Sequence, residues 1–198
     1  EILRKGHKMK QNRGKTPEHE AIYQRIRDMV LFGQLAPGQP VTILGLKERV
    51  GAGMTPVREA IRRLTAEGAL EVSENRRVFV PVMSERNLDQ IYFARTAIEP
   101  RLARMACEKA TSSLIGELRA IDARVNLAIA AGNVEGYLES NYQFHFRLYD
   151  AAGAEILAKI ARGLWLRFGP SLRIMCGRWG TGSLPDKHEE ALLALERR

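Results

Sequence analysis

The chain has 198 residues, 45% of them hydrophobic, with a formal charge of +8; this allows one domain or two small ones, a buried core and a polyanionic partner. No apolar run approaches the ~18 residues of a membrane span, and the N-terminus lacks the apolar middle of a signal peptide. Cys107 and Cys176 stand far apart and outside any CxxC pair, which argues against a disulfide scaffold or zinc ribbon and suits a cytoplasmic protein.

The charge is uneven: residues 1–83 carry 15 Lys and Arg against 9 Asp and Glu, the remainder 16 against 14. Residues 1–15 read as a basic arm or a remnant of cloning. Thr16-Pro17-Glu18 then combines a capping hydroxyl, a first-turn proline and acids at the positive helix end. Ile22, Ile26, Met29 and Val30 recur at helical spacing up to Gly33. Pro37-Gly38 predicts a turn, and Thr42 caps a short helix that Gly51-Ala52-Gly53 breaks. Thr55-Pro56 starts another helix, with Val57, Ile61 and Leu64 on one face and Glu67-Gly68 at its end. Two β-prone runs, 69–72 and 78–81, flank Ser73-Glu74-Asn75-Arg76-Arg77, a hairpin with a basic tip. From Ser84 the pattern is of long helices over 84–109, 112–131, 134–151 and 154–176, the first kinked or split at Pro100. A last helix opens at Pro185-Asp186, and its Ala- and Leu-rich stretch looks cut short at Arg198.

Helix, short helix, tight turn, helix and two-stranded wing is the order of a winged helix-turn-helix. The predicted fold is mainly α: this unit over 16–83, with a small β-hairpin wing, and an all-α helical bundle over 84–198. Thr55, Arg58, Arg62 and Arg63 turn partly outward from the helix that opens at Thr55. An arginine near a helix start pairs with guanine or clamps a phosphate, and Thr55 with the free first-turn N–H groups suits a phosphate. Thr42 and the wing residues Asn75, Arg76 and Arg77 complete the expected DNA-contacting set. The competing reading of each arginine is a solvated basic surface.

Leu35-Ala36-Pro37-Gly38, then Gly51-Ala52-Gly53-Met54-Thr55-Pro56-Val57-Arg58-Glu59-Ala60-Ile61-Arg62-Arg63-Leu64 and Glu67-Gly68, resemble the GntR family of bacterial regulators over residues 17–82. The resemblance implies that Thr55 and Arg58 contact DNA. Two positions depart from the family pattern: Gly53-Met54 stands where Ser-Arg is usual, and Leu44 where an arginine is frequent. Met54 has no donors for a guanine, so the family's commonest operator is not expected, and the wing tip lacks the usual glycine.

Asn141 and His145 lie one turn apart on a helix, and His188 opens the last one. By spacing alone the metal signal is weak, because a histidine in an apolar helix is more often a hydrogen-bonded core residue than a metal ligand. Residues 84–198 resemble the all-helical ligand-binding domain, FCD, of the FadR subgroup, through Arg95-Thr96-Ala97-Ile98-Glu99, Phe144-His145 with Leu148, and His188 with Ala191-Leu192-Leu193-Ala194. That resemblance implies a zinc or other divalent metal held by an Asp and three His, beside a small carboxylate effector. His145 and His188 match two ligands, Asn141 takes the Asp position, and the fourth falls after Arg198. Arg95 is the expected partner of the effector carboxylate; the alternative is an ion pair with Glu99.

The expectation is a DNA-binding transcription regulator, a repressor by preference, acting as a homodimer on double-stranded operator DNA. Two other classes compete with this reading. A metal-dependent enzyme lacks support: His188-Glu189 begins a His-Glu-x-x-His pattern whose fifth position is Leu192, and no phosphate loop or nucleophile elbow appears. A helical adaptor protein would show no salt-dependent duplex binding.

Overall fold

The computed structural model describes residues 17–180 and 187–197, the side chains of Arg178 and Trp179 excepted. Thr16, the residue 1–15 arm, Pro185-Asp186 and Arg198 lie outside the described residues. Eight helices and three two-residue strands occur among them. The first helix, α1 (Glu18–Leu31), buries Ile22, Tyr23, Ile26, Met29, Val30 and Leu31. It packs on α3 (Met54–Ala66), whose Val57, Ala60, Ile61 and Leu64 form the opposing stripe. Between them α2 (Ile43–Val50) is capped by Thr42, whose hydroxyl accepts from the Gly45 N–H at 3.0 Å. Gly51 ends α2 at φ +63, a left-handed conformation that glycine adopts without steric cost. The turn so made brings α3 across α2.

A strand absent from the sequence expectation joins the wing. β1 (Pro40–Val41), β2 (Glu71–Val72) and β3 (Val78–Phe79) form an antiparallel sheet in the order β1-β3-β2. Two residues beside a proline give too short a run to signal a strand; pairing across a distance of some forty positions makes it. The third helix also starts one residue before the expected Thr55, with Gly53 as its cap.

The second half comprises α4 (Glu85–Lys109), α5 (Ser112–Ala130), α6 (Val134–Ala151), α7 (Glu155–Trp179) and α8 (His188–Glu196). Ser84, Thr111 and Asn133 cap α4, α5 and α6 through their side chains. Helix α4 is one continuous element, so of the kink or split expected at Pro100 the split does not occur. Both Pro100 and Thr96, the residue whose carbonyl loses its helical donor there, are exposed, so the missing bond leaves no buried carbonyl behind. Helices α5 and α6 pack most extensively, and α8 lies on α5.

The two halves share one hydrophobic interior running from Ile26 and Leu64 to Phe144, Trp165 and Leu192. Helix α7 meets α1 at close range: a Cβ on Gly169 would sit 2.0 Å from the Leu31 carbonyl oxygen. Arg167 Nε donates to the Glu67 carbonyl at 3.1 Å, and Arg27 Nη2 to the Tyr142 hydroxyl at 2.8 Å.

Candidate functional site

The outer face of α3 follows from its inner one. With Val57, Ile61 and Leu64 committed to the core, helical periodicity leaves Thr55 and Arg62 on the opposite side and Arg58 at its flank, all exposed. Arg58 has no ion pair among the described residues, so its five donors remain for a ligand. Arg62 leans on Glu59 through Nε at 2.9 Å and Nη2 at 2.5 Å. This pair is fully solvated and readily exchanged for a phosphate. Met54 and Leu44 are 45% and 59% exposed, apolar surface beside a cationic face.

Arg63, also exposed, is engaged by α1. Its guanidinium lies 3.5 Å from the Tyr23 ring centre and binds Glu20 at 2.8 Å and Glu67 at 3.2 Å. One position further round the helix, it is turned toward α1 and braces α1 against α3. Glu67 also accepts from the Tyr23 hydroxyl, and burial next to that carboxylate pushes the tyrosine up to about 12.

At the wing tip Asn75, Arg76 and Arg77 are exposed. Arg76 has φ +61, the one non-glycine residue in the left-handed region among the described residues. The turn closes by Arg76 N donating to the Ser73 carbonyl at 2.8 Å and Ser73 N to the Arg77 carbonyl at 2.9 Å. A glycine would sit here without strain; the arginine holds a guanidinium at the tip at a backbone cost of about 1 kcal/mol.

In the helical half, Asn141 and His145 share α6, and His188 of α8 lies near His145. His145 and His188 have ring centres 5.3 Å apart, and both His188 and Asn141 are buried. Each imidazole is already oriented: His145 Nδ1 lies 3.1 Å from the Tyr149 hydroxyl, His188 Nδ1 3.0 Å from Asp122. Burial drives His145 down to about 3, so it is neutral at physiological pH. Among the described residues no group of three His, Cys, Asp or Glu could hold one ion. Two imidazoles and the neutral Asn141 amide therefore do not by themselves fit a transition-metal centre.

Arg95 meets a carboxylate, and it is Glu99's. Its Nε and Nη2 donate to Glu99 at 2.6 and 3.1 Å, and the guanidinium lies 4.5 Å from the Trp165 ring. Glu99 accepts in addition from Trp165 Nε1 at 2.8 Å and from the Tyr149 hydroxyl at 3.1 Å. Sequence reasoning missed Trp165, Tyr149, Asp122 and Tyr142. Tyr149 was in reach, one turn beyond His145 on the same face, and Tyr142 lies on α6 as well; Trp165 and Asp122 are brought in from α7 and α5 and leave no local signal.

Comparison with known proteins follows the same division. Residues 18–80 match the model of bacterial regulatory proteins of the gntR family, and residues 90–198 match the FCD domain. The chain is 30% identical over 150 residues to the HTH-type transcriptional regulator McbR of Escherichia coli, covering 76% of this chain and 68% of that one. It is 32% identical over 153 residues to the Nta operon transcriptional regulator of Aminobacter aminovorans, covering 76% and 69%. Identity to the transcriptional repressor RspR of E. coli is 26% over 140 residues, covering 71% and 61%. The solved structure of E. coli McbR/YncC superposes with a TM-score of 0.82 at 26% identity, covering 92% and 88%. A putative GntR regulator from Rhodococcus shares the fold with a TM-score of 0.66 at 18% identity, covering 92% and 93%.

Proposed function

The chain belongs to the GntR family, with the C-terminal FCD domain of the FadR subgroup, and from that premise we propose that it represses transcription by binding operator DNA under control of a small effector. It is a DNA-binding transcription regulator and not an enzyme. Repression, the contact residues, the effector and the homodimer are our reading.

The observation that carries this reading is the outer face of α3, where Arg58 has no ion pair among the described residues and stands between Thr55 and Arg62. Such a face suits the major groove, with its first turn toward base edges and phosphates. Arg76 and Arg77 extend the cationic surface to the wing, and Thr42 and Asn75 add polar contacts at its margins. Arg63 is assigned to bracing α1, not to DNA. Repression is supported by the names of two relatives, RspR and GlaR of E. coli.

Two chains would read the two halves of a symmetric operator. Phe93, 75% exposed, and Ala97 one turn on give α4 an uncharged outer strip suited to a second copy. The effector would act through α7, whose Gly169 and Arg167 touch α1 and the end of α3: occupation of the helical half shifts the population of DNA-competent placements. FCD domains can bind metal, yet no step here is routed through one, because the described residues do not complete a site.

The test is fluorescence anisotropy with an operator duplex selected from random sequence, titrated at several salt concentrations. Affinity should fall linearly on a log–log plot against salt, with a slope reporting several phosphate contacts. A flat salt dependence, or equal affinity for selected and random duplex, rejects sequence-specific binding.

A further inference from the structure

Between α4 and α7 lies a groove of about 710 Å³, within the usual size range of small-molecule sites. Its walls are apolar: Leu88, Ile91 and Ala103 from α4, Phe168 and Met175 from α7. Arg95 and Glu99, between Ile91 and Ala103 along α4, form a polar patch within it together with Tyr149, and Asp89 and Thr96 also line it. There the Arg95 guanidinium and the Glu99 carboxylate cancel at 2.6 Å, which leaves Asp89 as the remaining charged residue of the lining, itself an anion.

The hydrogen bonds there are nearly all internal. Glu99 accepts from Arg95, Trp165 and Tyr149. Thr96, also lining the groove, donates to the Tyr92 and Phe93 carbonyls of its own helix. Arg95 spends Nε and Nη2 on Glu99, and its Nη1 has no partner among the described residues. The side chains of Arg95 and Glu99 are 23% and 13% exposed, so a ligand there meets little screening water. A carboxylate entering beside Arg95 would meet the like charge of Glu99 and would have to displace a carboxylate that accepts four hydrogen bonds. A neutral oxygen meets no such penalty and finds a charged donor.

We propose that this groove binds an uncharged amphiphile, whose carbonyl or similar oxygen accepts from Arg95 Nη1 while its hydrocarbon body lies along Leu88, Ile91, Ala103, Phe168 and Met175. The inference rests on the reading of the helical half as the sensor, and it replaces the carboxylate expected from sequence. Glu99 is then the residue that excludes anions: it positions Arg95 and fills the place a carboxylate would take.

The probes are methyl octanoate and sodium octanoate, equal in chain length and different in charge. In thermal shift titrations at matched free concentration, methyl octanoate raises the melting midpoint of the full chain and octanoate does not. Glu99→Gln keeps the chain's shape, frees Arg95 from its counter-charge and gains octanoate binding by at least about tenfold, as charge-assisted pairing implies. Leu88→Asp, at a position already 41% exposed, preserves the fold and abolishes the ester response. The proposal is overturned if octanoate stabilises the wild type as well as its ester, if neither does, or if Leu88→Asp leaves the ester response intact. Operator affinity measured without ligand checks the DNA-binding reading separately, and none of these outcomes alters it.

Discussion

Two arginines five residues apart on α3 show how position on one helix divides labour. Arg58 stands exposed at the flank of the Val57–Leu64 stripe with no ion pair among the described residues, whereas Arg63 is drawn onto Tyr23 between Glu20 and Glu67. Arg58→Ala should therefore weaken operator binding by ~1–3 kcal/mol, the worth of one bidentate base contact. The melting midpoint should stay unchanged; undiminished anisotropy at fixed salt removes Arg58 from the interface. Arg76 makes the opposite trade. Its left-handed backbone costs stability that glycine would restore, so Arg76→Gly should raise unfolding free energy by about 1 kcal/mol in urea titration. The same variant should bind duplex more weakly and with a shallower salt slope. A variant both less stable and equally tight in binding contradicts this account of the wing.

At the scale of elements, α7 decides how the two halves meet. Gly169 lies against the Leu31 carbonyl so closely that no side chain fits between the helices. Gly169→Ala must push α7 from α1 or unfold one of them, at a cost of ~1–3 kcal/mol by analogy with core overpacking. Urea denaturation reads that cost, and an unchanged midpoint shows that the contact is not required. The wing shows the limit of local signals in another way. The 69–72 and 78–81 runs were legible as β-prone, but β1 at Pro40–Val41 is defined only by its pairing with β3. Conversely, Pro100 carried a strong local signal for a break that its exposed position in α4 cancels.

For the whole molecule, the cleft between the halves brings Asp28 of α1 near Glu139 of α6. Burial raises both above the ordinary carboxylate value, and for Glu139 the neighbouring Glu135 and Asp28 add to it. A raised folded-state value means that the folded chain binds protons more readily than the unfolded one. Stability from these groups is thus full below their ordinary values, 3.8 for Asp28 and 4.5 for Glu139, and lost as pH rises through the raised folded values. Glu139→Gln should raise the melting midpoint at pH 7 and converge with the wild type near pH 4.5. A difference that persists or grows at low pH sinks the explanation. The ion-paired Glu20, Glu59 and Glu117 are lowered instead, so their contribution fails only at still more acidic pH.

The order of elements, the uneven charge and the Thr55-Pro56-Val57-Arg58 helix determined the winged unit, because helix periodicity, caps and turn glycines act within a few residues. The same local rules set the five helices of the second half and the nearness of Asn141 to His145. Tertiary structure alone decided which charges are free. Arg63 was lost to Glu20 and Glu67, Arg95 to Glu99, and His188 to Asp122, 66 positions away. Sequence tells which side chains can carry a charge; their partners depend on helices that meet only in the folded chain, and those partners set whether a guanidinium is open to a phosphate, a carbonyl oxygen or nothing further.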